Sequence, residues 1–235
     1  MTRDPRRWVA EAAGTMLLVT FGAGSVMTDA ITGGALGSVG IAATFAIVVT
    51  ALVTALGHVS GAHLNPAVTI AFWSMRRFPA REVPPYVLAQ CAGATGGALL
   101  LRAALGRVAQ VGATVPHVPV ATAFGVELVF SFALFLVIAA VATDARTPPA
   151  LAPFAVGGTV GLCALQGALT GASMNPARSL GPAVASGTFT AHWLYWVAPI
   201  AGMLAAARLF DWLRDTRAHP TSPRGAALGV EGPID

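Results

Sequence analysis

Eight residues, Gly61-Ala-His-Leu-Asn-Pro-Ala-Val68, return 110 positions later as Gly171-Ala-Ser-Met-Asn-Pro-Ala-Arg178. In each copy Asn stands directly before Pro and an apolar run follows. That is a helix start: Asn is a favoured N-cap, and Pro at the first helical position gives up only an N–H that had no partner. Both runs are short. The first reaches Ser74-Met75-Arg76-Arg77, and the second meets Gly181-Pro182 and then Gly187. Roughly ten residues of helix cover about 15 Å, half the hydrocarbon thickness of a bilayer. Two half-helices opening on Asn-Pro would bring their partly positive N-termini and free N–H groups to the middle of a membrane. The amides of Asn65 and Asn175 would add side-chain donors at the same depth.

The rest of the chain is apolar enough to supply that membrane. Of 235 residues 55% are hydrophobic and 10% charged, against about 25% charged in a soluble domain, and the mean hydropathy is +0.70. All 14 basic residues are Arg. They cluster at chain ends and turns, which fits the positive-inside rule and not a nucleic-acid footprint. Cys91 and Cys163 both lie in apolar runs, so no disulfide framework is expected.

Six full spans are expected, over about 8–27, 37–56, 83–104, 120–142, 150–169 and 192–213. The first follows Arg3, Arg6 and Arg7 and is read as an uncleaved span, since it is long and lacks a clean small-residue cleavage site. Gly93-x-x-x-Gly97 and Gly157-x-x-x-Gly161 mark helices that approach closely. Residues 105–119 read as a turn-rich loop, and 214–235 as a disordered cytoplasmic tail rich in Pro, Gly and Arg.

The order is span, span, half-helix, span, and then the same again, in one channel domain over 1–213. Repeat 1 covers about 8–104 and repeat 2 about 120–213. Three full spans per repeat is an odd number, so the second copy lies upside down relative to the first, an arrangement known among transport proteins. The fold class is an all-α membrane protein of six transmembrane helices plus two re-entrant half-helices in an inverted repeat. With the N-terminus inside, 11 of the 14 arginines fall on the cytoplasmic side. Both termini are therefore expected in the cytoplasm.

Half-helices aiming positive ends at one another raise a barrier to cations and protons. Water and small neutral hydroxyl compounds can instead accept hydrogen bonds from Asn65 and Asn175. Glu11 and Glu127 are intramembrane carboxylates and hence functional candidates. Arg178, one turn into the second half-helix, costs roughly 2.5–3.5 kcal/mol at a helix centre on insertion scales and needs a wet or polar surround. His58 and His63 flank the first box. Hydrogen bonds to loop backbone are the expected role for both, and no metal site and no cofactor are assigned.

These residues resemble the aquaporin, or major intrinsic protein, family over about 8–213. The carriers are Gly61-Ala-His-Leu-Asn-Pro-Ala-Val-Thr69, Ala172-Ser-Met-Asn-Pro-Ala-Arg-Ser-Leu-Gly181, six spans and a pair of glutamates. The resemblance implies a right-handed bundle, one pore per subunit and a homotetramer. It makes the two boxes, Asn65-Pro66-Ala67 and Asn175-Pro176-Ala177, the pore midplane. It gives Glu11 and Glu127 the role of bracing the half-helix loops. It also implies an outer constriction of Phe45, Cys163, Ala172 and Arg178, which lie 20 residues before the first box Asn, 12 and 3 before the second, and 3 after it.

Strict water channels resemble this set at Phe45 and Arg178, but carry His where Cys163 stands and Thr or Cys where Ala172 stands. Glycerol facilitators have Trp, Gly, Phe and Arg there, and an Asp where this chain has Ser179. The boxes look most like the nodulin-like subfamily and its bacterial relatives, which pass metalloid acids, glycerol or urea. Ser179, Ala183, Tyr195 and Trp196 follow the water-channel pattern. The expectation is a passive channel for water and small uncharged solutes in the plasma membrane, a bacterial inner membrane in the first instance; a strict water channel is the alternative. An ion-coupled transporter would need a midplane coupling group beyond the two bracing glutamates. A serine hydrolase would need a His–Asp pair beside Ser173, and none is evident.

Overall fold

The computed structural model describes residues 4–144 and 147–214. The tail from 215 onwards, together with Arg3, Arg146, Arg217 and Arg224 of the charge count, lies outside the described residues. Nine α-helices are present among them: α1 Pro5–Ile31, α2 Gly37–Ser60, α3 Pro66–Ser74, α4 Val83–Leu105, α5 Val120–Thr143, α6 Ala152–Ala164, α7 Gly167–Thr170, α8 Pro176–Ser186 and α9 Leu194–Leu213. Five segments are long and apolar enough to cross a membrane, and Pro149–Ala164 is a shorter apolar helix.

The helices end where local chemistry says they should. Asp4 caps α1 by accepting from the Arg6 N–H, with Pro5 at the first helical position. α2 closes on Gly61 in the left-handed conformation (φ 89°) and α8 on Gly187 (φ 81°), the usual use of glycine just past a helix. Gly181-Pro182 does not end α8. The helix continues to Ser186 with Pro182 inside it, although a proline there gives up one hydrogen bond and crowds the Arg178 carbonyl.

The fifth span differs from expectation. It does not run as one helix to Leu169 but divides into α6 and α7 at Leu165-Gln166. The Gln166 N–H bonds back only three residues, to the Cys163 carbonyl at 3.0 Å, so the turn tightens before Gly167 starts the next one.

Glycines set the closest helix pairs. A Cβ on Gly93 would overlap the Ala12 carbonyl, and one on Gly97 would meet the Met16 carbonyl; this holds α4 against α1. Gly202 brings α9 onto α5 at the Leu128 carbonyl, and Gly157 brings α6 onto α2 at Thr50 and Ala46. The half-helices are exchanged between repeats. α3 packs chiefly on α9 and α8 chiefly on α4. The arginines follow that exchange: Arg208 on α9 donates to the Ser74 carbonyl that ends α3 (3.2 Å), and Arg102 on α4 to the Ala185 carbonyl near the end of α8 (2.8 Å). Each thus sets a cation on a partly negative helix end.

Candidate functional site

The two boxes meet. Asn65 accepts from the Ala67 N–H with its side-chain oxygen (2.9 Å), which caps α3. Asn175 caps α8 in the same way through Ala177 (3.0 Å) and Arg178 (3.2 Å). Capping uses the amide oxygens, so the nitrogens face the other way. The Asn65 Nδ2 donates to the Met174 carbonyl and the Asn175 Nδ2 to the Leu64 carbonyl, both at 2.8 Å. Each asparagine thereby ties its own half-helix to the loop that leads into the other. An amide nitrogen carries two N–H groups, and each bond uses one.

The loops that hold the asparagines are strained. Ala62 (φ 46°), Leu64 (φ 51°), Ala172 (φ 43°) and Met174 (φ 51°) all occupy the left-handed region, which costs non-glycine residues of order 1 kcal/mol or more each. The buried carboxylates offset that cost. Glu11 accepts from the backbone N–H groups of His63 (2.9 Å) and Leu64 (2.7 Å), from the Ser60 hydroxyl (2.7 Å) and from the Gln90 amide (2.8 Å). Glu127 accepts from the N–H groups of Ser173 and Met174, each at 2.8 Å, and from the Thr170 hydroxyl (2.7 Å). Both are 0% exposed. Hydrogen bonds to a charged group contribute roughly 1.5–3 kcal/mol each.

Several residues of this brace escaped sequence reasoning. Ser60 and Thr170 also accept from the N–H groups of Ala62 and Ala172, both at 3.1 Å. The Tyr86 hydroxyl donates to the Ser60 carbonyl (2.8 Å) and the Tyr195 hydroxyl to the Thr170 carbonyl (2.7 Å). That gives Tyr195, known from the sequence only as a pattern match, a physical task. The signal was available: Ser60 and Thr170 each lie five residues before a box Asn, and Tyr86 and Tyr195 lie 21 and 20 residues after one.

A cavity of about 880 Å³, its open mouth included, passes the boxes. On α2 it is lined by Phe45, Val49 and Val53, on α6 by Ala152, Val156 and Val160, and on the loops by residues 61–65 and 172–175. One helical face of each of α2 and α6 thus supplies an apolar wall, and the loops supply the polar groups. It reaches from the side where α5 ends and α6 begins to Phe45, Ala172 and Arg178 at the other end.

There Arg178 is 3% exposed and donates from Nη1 to the Gly112 carbonyl at 3.0 Å. Its guanidinium carbon stands 5.2 Å from the Phe45 ring centre, a cation–π distance. The Arg178 Nε has no protein partner among the described residues. Gly112 reaches Arg178 because Ala109, Gln110 and Val111 make a left-handed turn (φ 44°, 53° and 58°) inside the loop expected only to be turn-rich. Thr114 from the same loop donates to the Ser179 hydroxyl (2.7 Å).

Of the four residues expected at the constriction, Phe45, Ala172 and Arg178 line this end of the cavity. Cys163, 5% exposed, packs in the same apolar cluster as Phe45 and Ala172. His63 departs from expectation. Its Nδ1 pairs with the Thr69 hydroxyl at 3.1 Å and not with loop backbone, and His58 is exposed. Among the described residues no group of three or more His, Cys, Asp or Glu could hold a metal ion.

A family model described as major intrinsic protein matches residues 2–210. Nodulin-26 from Glycine max is 42% identical over 213 residues, which is 90% of this chain and 79% of that protein. Aquaporin NIP6-1 from Arabidopsis thaliana is 43% identical over 203 residues, covering 86% of this chain and 67% of its own length. Among solved structures, that of the aquaglyceroporin from Plasmodium falciparum superposes with a TM-score of 0.81 at 24% identity, over 91% of this chain and 96% of that one. This last likeness concerns the fold.

Proposed function

The chain belongs to the major intrinsic protein family, and from that premise we propose that its pore passes small neutral hydroxyl and amide solutes as well as water. The protein is an integral multi-pass membrane protein and a passive channel, not an enzyme. The observation that carries the wider solute range is the end of the cavity. Phe45 and Arg178 are large, whereas Ala172 and Cys163, which packs beside Phe45 and Ala172, are small. A side chain as large as His in place of Cys163, or Thr in place of Ala172, would narrow this mouth and add polar partners for water alone.

The selectivity set is Phe45, Cys163, Ala172 and Arg178, with Cys163 acting by leaving space. Arg178 supplies the fixed positive charge and the free N–H of Nε. Asn65 and Asn175 supply the donors at the midplane, and the facing half-helix N-termini exclude protons and cations. Glu11 and Glu127 brace the loops. The functional unit is a homotetramer of single-pore subunits in the plasma membrane with both termini cytoplasmic, as the distribution of arginine supports. The relatives named above are plant proteins and lend no support to a bacterial inner membrane.

Stopped-flow light scattering on proteoliposomes tests the reading with water, glycerol, urea and boric acid in parallel. Flux of at least one solute above the lipid background, without saturation or dependence on an ion gradient, is the expected result. Water flux with all three solutes at background would leave a strict water channel.

A further inference from the structure

We propose that Thr69 and Gln90 fix the tautomer of His63, with the proton on Nδ1 and a bare lone pair on Nε2, so that this wall of the cavity offers an acceptor to a permeating O–H. The assignment follows from counting hydrogens. Gln90 Nε2 faces the Glu11 carboxylate at 2.8 Å, so that end of the side chain is the NH2 group, and it also donates to Thr69 Oγ1 at 3.0 Å. Thr69 has one hydroxyl hydrogen, and its bond to the Asn65 carbonyl at 3.1 Å uses it, since a carbonyl can only accept. The third neighbour of Thr69 Oγ1 is His63 Nδ1, at 3.1 Å. All three contacts of Thr69 Oγ1 are satisfied together only if that nitrogen donates, and neutral imidazole then leaves Nε2 as an acceptor.

The surroundings of the ring leave Nε2 without a protein partner. The His63 ring lies among Phe72, Phe78 and Tyr86, with centroids 5.0, 4.9 and 5.4 Å away. The Arg7 guanidinium stands over the Phe78 and Tyr86 rings at 5.7 and 5.5 Å. His63 lines the cavity, and Nε2 is buried with no protein partner, so what moves through the cavity is left to satisfy it.

The second loop cannot copy this. At the equivalent places stand Ser173, Ser179 and Pro199, and Ser173 Oγ donates to the Asn175 carbonyl at 2.9 Å. The acceptor therefore belongs to one half of the pore only. Gln90 is 0% exposed and not on the cavity wall; it acts as a positioning residue through Thr69 and His63.

The test is solid-state NMR of the full chain in liposomes with 13C,15N-labelled histidine. The His63 signals are identified by their loss in His63→Asn. The expected result is a protonated Nδ1 and an unprotonated Nε2. Thr69→Val should shift the tautomer ratio toward Nε2–H by about fivefold, the weight of one hydrogen bond, and Gln90→Leu should shift it in the same direction. Thr69→Ser should restore the wild-type pattern, and unchanged signals from the other histidines report an intact fold. A wild-type His63 protonated on Nε2, or a Thr69→Val spectrum like wild type in a folded channel, overturns the assignment. The consequence for permeation rests on the function proposed above, but the nitrogen spectrum requires no transport. A channel that fails to pass solutes yet shows the expected spectrum would count against that function alone.

Discussion

Glu11 and Glu127 hold equivalent places in the two repeats but are not equally bound. Glu11 accepts four hydrogen bonds and Glu127 three, because Gln90 on α4 has its counterpart in Pro199 on α9. Replacing either by Gln turns one acceptor oxygen into an NH2 group facing donors. At roughly 1.5–3 kcal/mol per bond to a charged group, both variants should lower the thermal midpoint in detergent, Glu11→Gln by more. Equal losses, or a larger loss in Glu127→Gln, would show that the extra amide contributes nothing. At the constriction, the double substitution Cys163→His and Ala172→Thr should cut glycerol and urea flux much more than water flux. A proportional fall in all three would point to damaged folding and would remove the size argument.

The half-helices and the glycine contacts belong to the scale of elements. α3 has 9 residues and α8 has 11, and both start as the Asn-Pro boxes dictate, because capping is decided within a few residues of chain. What keeps them in place is packing against helices far away in sequence; for α8 it runs through Gly181, where a Cβ would meet the Ala94 carbonyl of α4, and α4 in turn sits on α1 through glycine. Gly93→Ala would drive a methyl into the Ala12 carbonyl of α1, a backbone atom that cannot rotate aside. Overpacking of this kind costs typically about 1–3 kcal/mol, so the variant should show a lower thermal midpoint and less folded protein. Gly125→Ala in α5 meets nothing within 4 Å. It should be neutral or more stable by up to about 1 kcal/mol, from helix propensity alone. If the two variants behave alike in size-exclusion thermal scans, close α1–α4 contact is not what Gly93 provides.

The two repeats of the whole molecule are not separate halves laid side by side. α3 of the first packs on α9 of the second, α8 of the second packs on α4 of the first, and the box asparagines donate across the pseudo-symmetry axis. Neither repeat can complete its half of the pore alone. The outward faces remain apolar: Leu88, Phe154, Leu162 and Trp212 are each at least 66% exposed, as lipid or neighbouring subunits require. The proposed homotetramer predicts a protein mass in detergent of four times 23.8 kDa by light scattering corrected for bound detergent. A stable species of one-subunit mass that still conducts water would make assembly dispensable.

The sequence by itself determined five of the six spans, the inverted repeat and the paired boxes, and it singled out Glu11, Glu127 and Arg178 as candidates. Each of these depends on hydropathy, on capping within one turn, or on a charge that a membrane does not tolerate without a reason. Only the tertiary structure decided what those residues touch. The Gly112 carbonyl reaches Arg178 from 66 residues away, by way of a left-handed turn at Ala109, Gln110 and Val111 that no glycine or asparagine announces. Gln90 joins Glu11 and Thr69 from the third span, Tyr86 and Tyr195 tie the loop carbonyls, and the fifth span breaks after Ala164. Such contacts arise when helices distant in the chain settle against one another, and local sequence carries no record of the partner.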